Sequence, residues 1–117
     1  MIRVAVDLDG TADADPEMFR KLMTALRKRG DKVVILTGCH HFPVTEADKA
    51  EKKADLERLG LGDCYDKLHV YPNPPGNAKA AYCEKHNVAL LIDNSLSNAQ
   101  LAPAGTTVLV PWRTITP

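Results

Sequence analysis

Short apolar runs alternate along this chain with longer stretches whose apolar residues recur at helical spacing. Residues 2–6 (IRVAV) form a β-branched run that stops abruptly at Asp7. Asp15, Pro16 and Glu17 then supply an N-cap, a first-turn proline and a first-turn acid. Met18, Phe19, Leu22, Met23 and Leu26 follow as one apolar stripe, which predicts a helix. Arg27, Lys28 and Arg29 sit where cations oppose the helix dipole, and Gly30 is the natural stop.

The rest of the chain continues the alternation. Residues 32–36 (KVVIL) read as a second strand, ending at Thr37 and Gly38. Thr45 and Asp48 have capping-box spacing and open a second helix that runs to about Leu59 and Gly60. Residues 67–71 (KLHVY) form a weaker third strand, followed by a proline-rich loop, PNPPG. A third helix starts at Asn77 or Ala78 and runs to about His86. Residues 88–92 (VALLI) form a fourth strand ending in Asp93. A polar turn with a short helix over 94–101 and a fifth strand over 106–110 (TTVLV) complete the pattern. The segment 111–117 reads as a loosely packed end.

Strand and helix in regular alternation predict a parallel sheet, because parallel neighbours need crossover connections. The expected fold is therefore α/β: a three-layer, doubly wound, Rossmann-like sheet of about five strands. At 117 residues, 1–117 is expected to be a single domain. With 44% apolar and 26% charged residues the chain reads as globular rather than disordered.

Fifteen basic residues balance fifteen acidic ones, which removes the basic excess of a general nucleic-acid or membrane-surface binder. No apolar run approaches the roughly 20 residues of a membrane helix. The first residues look like a strand rather than a signal peptide. Cys39, Cys64 and Cys83 read as reduced thiols, so a cytoplasmic protein is expected.

In a doubly wound sheet, ligands bind beyond the carboxyl ends of the strands. The residues just past each apolar run therefore matter most. They are Asp7-Leu8-Asp9-Gly10-Thr11, Thr37-Gly38 and Asp93-Asn94-Ser95, with Lys79 near the start of the third helix. One such acid is ordinarily a turn residue or helix cap. Two acids at i and i+2 after a buried strand, joined by Thr37, Lys79 and Asp93 on the same edge, make a joint pattern. Acids that bind Mg²⁺, with a lysine and backbone amides holding an anion, form a coherent phosphate site.

On these residues the chain resembles the haloacid-dehalogenase-like phosphohydrolases. VAVDLDGT, VVILTG, a lysine at a helix start and LLID match that family's four motifs in order, over roughly residues 2–110. The resemblance implies a Mg²⁺-dependent phosphomonoester hydrolase working through an aspartyl phosphate. Asp7 would be the nucleophile and Asp9 the general acid and base. Thr37, Gly38 and Lys79 would hold the phosphoryl group, and Asp7, Asp9 and Asp93 the metal. The implied partner is an exposed phosphate on a protein, a nucleotide or a nucleic-acid end, and a homo-oligomer is compatible with the sequence.

Two departures from the family pattern matter. Asn94 stands where the family usually has a second motif-four acid, and an amide adds no negative charge. No cap-sized insertion separates the motifs, so a capless protein is expected. Asn94, and the near-absence of the family's usual flap with only Ala12 to Ala14 between Thr11 and the first helix cap, favour a rival reading, a phosphate- or metal-binding module that has lost turnover. A receiver-type signalling domain is a weaker rival, because no lysine follows the fifth strand. Lys67 competes with Lys79 for the cation role but precedes the third strand instead of opening the helix. Cys39-His40-His41 lacks a second ligand pair at zinc spacing and reads as a substrate-contacting loop or a turn. His69, His86 and Trp112 read as structural.

Overall fold

The computed structural model describes residues 1–72 and 78–112. The proline-rich stretch 73–76, Asn77 as an alternative helix start, and the tail 113–117 lie outside the described residues. In chain order the elements are β1 (Arg3–Val6), α1 (Pro16–Lys28), β2 (Lys32–Cys39), α2 (Glu46–Arg58), β3 (Lys67–Pro72), α3 (Ala78–Lys85), β4 (Leu90–Ile92), α4 (Leu96–Leu101) and β5 (Thr107–Leu109).

The five strands form one sheet in the order β3-β2-β1-β4-β5, parallel at every pairing. Alternation along each strand divides the apolar side chains between two faces. Val4, Val6, Val33, Ile35 and Ile92 pack with Phe19 and Met23 of α1 and Leu56 of α2. Ala5, Val34, Leu36 and Leu91 pack on the other face with Tyr82 and Cys83 of α3. Helices cover both faces, so the chain has the expected three-layer α/β fold without a cap domain. Phe19 and Met23 are fully buried. Each such side chain contributes roughly 1.5–3 kcal/mol relative to exposure.

Local signals account for the helix ends. Asp15 accepts the backbone N–H of Met18 at 3.2 Å, and Pro16 opens α1. Gly30 leaves α1 with φ +97°, in the left-handed region that glycine adopts without strain. Thr45 and Asp48 form the reciprocal capping box at the start of α2.

β2 is longer than its apolar run. It continues through Thr37, Gly38 and Cys39, which pair with Val70, Tyr71 and Pro72. The partner strand, and not side-chain hydrophobicity, extends it. Between β1 and α1 the chain makes a kinked turn over Leu8–Ala12, with Asp9 extended and Gly10 at φ +78°.

Candidate functional site at the carboxyl edge

Alternation also aims the site residues. Asp7 follows Ala5 by two positions, and Asp93 follows Leu91 by two, so both acids project onto the face covered by α3. The Asp7 N–H donates to the Ile92 carbonyl at 2.9 Å and the Asp93 N–H to Leu109 at 3.1 Å, which holds the strand ends side by side. α3 brings Lys79 into the same place from above. Its Nζ lies 2.8 Å from Asp7 Oδ1 and 2.7 Å from Asp93 Oδ2. All three residues are buried.

Neighbouring donors complete this cluster. Thr11 Oγ1 donates to Asp7 Oδ2 at 3.0 Å and accepts the Asn94 N–H at 3.1 Å. The Ser95 N–H donates to Asp93 Oδ1 at 2.9 Å, and Asn98 Nδ2 to Asp93 Oδ2 at 3.0 Å. The sequence reading assigned no role to Thr11, Ser95 or Asn98. The signal for two of them was available, because Ser95 caps α4 by accepting from Asn98.

Burial pushes the Asp7 carboxyl up to about 6, against the pull of the Lys79 ammonium, with Asp93 adding to the rise. Burial by itself favours neutral Lys79, but Asp7, Tyr71 and Asp93 together carry its pKa above the ordinary lysine value. The ammonium is thus the charged partner of this acid pair at neutral pH.

Other expected site residues stand apart. The Asp9 carboxyl is 64% exposed and meets Lys52 Nζ of α2 at 3.0 Å. Thr37 is fully buried and its hydroxyl has no hydrogen-bond partner among the described residues. Gly38, one residue on, lines an open cleft of about 430 Å³ together with Asp7, Asp9, Gly10, Tyr71, Lys79 and Asp93. A larger depression of about 550 Å³ lies at the opposite, amino edge of the sheet. There Arg27 is paired with Asp66, and Asp31 with the adjacent Arg29.

The donor set decides how Mg²⁺ fits. Among the described residues no three His, Cys, Asp or Glu side chains stand together as a metal site. The point shared by Asp7 and Asp93 is filled by Lys79 Nζ, and Asp9 faces Lys52. As arranged, these side chains do not fit the three-acid Mg²⁺ set, and the ammonium takes the cation's place.

The loop after β2 has a structural tie of its own. His41 Nδ1 lies 2.5 Å from Asp48 Oδ1, joining the loop to the α2 cap. Trp112 packs edge-on against Phe19 with ring centroids 6.1 Å apart. Its indole N–H donates to the Gly10 carbonyl at 3.3 Å, in the turn that lines the cleft.

No family model matches the chain, and no curated protein does. Solved structures of the same fold are found. A universal stress protein from Archaeoglobus fulgidus superposes with a TM-score of 0.62 at 13% identity, covering 93% of this chain and 92% of that one. A universal stress protein in complex with cAMP gives a TM-score of 0.59 at 14% identity, covering 92% and 95%. At that identity the likeness shows the fold.

These findings correct the functional expectation. The structural neighbours are universal stress proteins, a different Rossmann-like family from the haloacid-dehalogenase-like phosphohydrolases. The assignment to that family is set aside, and with it the phosphatase activity and the silent-relative alternative. The motifs are short, and residues of three of them have a structural role in this fold: acids closing strand ends, glycine in a left-handed turn, lysine on a helix facing two acids. No helix of the described residues is long and apolar enough to cross a membrane.

Proposed function

We propose that the chain is a nucleotide-binding domain whose ligand occupies the carboxyl-edge cleft. The observation that carries this reading is the buried Asp7–Lys79–Asp93 cluster on the cleft floor, at the point where the winding reverses. From β1 the chain winds outward through β2 to β3, then crosses back to β4 on the other side of β1. In doubly wound sheets that reversal opens the ligand crevice. A solved protein of the same fold holds cAMP, which supports the class of ligand.

The roles follow from charge. Carboxylates accept hydrogen bonds from ribose hydroxyls and base amino groups, which suits the exposed Asp9 and, on the cleft floor, Asp7. Lys79 offsets the charge of the buried pair, so the floor is polar without being strongly anionic. Tyr71 gives the cleft wall an aromatic ring for a base. Gly38 keeps that wall low, and Lys52, held at Asp9, and His40 supply the mouth with groups suited to phosphate. This reading needs no divalent ion and includes no catalytic step.

Titration calorimetry with ATP, cAMP and inorganic phosphate, each in EDTA and in Mg²⁺, tests the proposal. Saturable one-to-one binding of a nucleotide in EDTA supports it. Absence of saturable binding at millimolar nucleotide in both buffers overturns it.

A further inference from the structure

A second set of charges lies at the opposite edge of the sheet. Arg3, Lys32 and Lys67 stand at the amino ends of β1, β2 and β3. Strand alternation puts Arg3 with Ala5, Lys32 with Val34 and Lys67 with His69, all on the face that α3 covers. The register sets Arg3 beside Lys32 and Lys67 beside Val34. Three cations thus converge from adjacent strands, although like charges side by side destabilise a sheet. None of the three has an ion-pair partner among the described residues.

Between these cations and α3 lies a groove of about 250 Å³. Val34 and Val88 give it an apolar floor, and Tyr82 and His86 an aromatic wall. The wall is the end of a ladder in which His69, Tyr82 and His86 follow one another at centroid distances of 4.6 and 4.2 Å. Arg3 is fixed at the groove by donating Nη1 to the His86 carbonyl at 2.6 Å. One acid borders the groove, Asp66, and its carboxyl is engaged by Arg27 and by the Val33 N–H. The positive charge is therefore left unanswered above an apolar, aromatic surface.

We propose that this groove binds a small planar aromatic anion, with its carboxylate or phosphate at Arg3, Lys32 and Lys67 and its ring against His86, the outer member of the ladder. The site is independent of the carboxyl-edge cleft. Because Lys32 and Lys67 are exposed, their substitution leaves the core intact.

Amide NMR titration of the whole protein with benzoate, acetate and benzamidine reads this out. Benzoate is expected to shift Val34, Lys67, Tyr82 and Val88 saturably. Acetate, lacking the ring, and benzamidine, with the opposite charge, should bind more weakly. Lys32→Gln and Lys67→Gln should each weaken benzoate about threefold, the scale of a solvent-exposed ion pair. Benzamidine or acetate binding as tightly as benzoate would overturn the proposal. So would an unchanged benzoate affinity in the double variant, or no saturable shift at millimolar benzoate.

Discussion

Lys79 Nζ lies 2.8 Å from Asp7 Oδ1, and the same nitrogen reaches Asp93, so one ammonium bridges acids from two neighbouring strands. Removing one member of a buried charge cluster leaves the others unpaired, which costs about 3–5 kcal/mol. Lys79→Met is expected to lose that much stability at pH 7. The deficit should shrink on acidification, as the stranded carboxyls take up protons. Urea unfolding at several pH values checks this. A variant with wild-type stability at pH 7 would show that the three charges are not coupled.

Asp7 on its own should be a liability for the fold. A carboxyl whose folded pKa stands above its unfolded value binds more protons when folded. Stability therefore falls as pH rises from 3.8 to about 6, then levels off. Asp7→Asn leaves Lys79 paired with Asp93, so it should remove this pH dependence without emptying the cluster of its charge balance. Urea unfolding should show wild-type stability falling from about pH 4 to about 6 more steeply than that of the variant. Equal slopes would show that burial of Asp7 carries no such cost.

His41 and Asp48 make the loop after β2 sensitive to pH. The hydrogen bond and charge of Asp48 hold the His41 imidazole above its ordinary value of 6.5. The Thr45 backbone N–H and then His41 hold Asp48 down at about 2. The stabilisation from His41 is complete below 6.5 and is lost as pH rises through the higher folded value. The Asp48 contribution is present above 3.8 and is lost as pH falls towards about 2. Proton NMR titration should place His41 above 6.5, with Asp48→Asn returning it to the ordinary range. A wild-type His41 titrating at or below 6.5 would contradict the contact.

The chain has a single tryptophan, and it touches the cleft turn. Because Trp112 donates to the Gly10 carbonyl, ligand binding in the cleft is expected to shift its emission. Phe19→Ala should alter the same emission by removing the edge-on ring, and should cost about 3–5 kcal/mol of stability. Emission unchanged in both experiments would separate Trp112 from the cleft and from α1.

The fold was legible because its strands are short β-branched runs and its helices carry strong end signals, such as Asp15-Pro16 and the Thr45–Asp48 box. The extra residues of β2 were not legible, since Thr37, Gly38 and Cys39 are strand by virtue of pairing with β3. Asp7, Lys79 and Asp93 were all marked by their positions at strand ends and a helix start, and the structure brings them together. The position of Asp9 was hidden, because its partner Lys52 is 43 residues away on a helix face that reads as solvated. The family resemblance misled for a related reason. Acids at strand ends and a glycine turn serve a doubly wound sheet whatever its chemistry, so motif order indicated the architecture and not the reaction.

Mapping a nucleotide onto the backbone tests the central claim most directly. Amide NMR titration with ATP and with cAMP should move Gly10, Gly38, Tyr71, Asn94 and Ser95 together and to saturation, with either nucleotide enough to support the claim. If neither nucleotide moves those amides, or if the saturable shifts gather elsewhere on the protein, the carboxyl-edge cleft is not a nucleotide site.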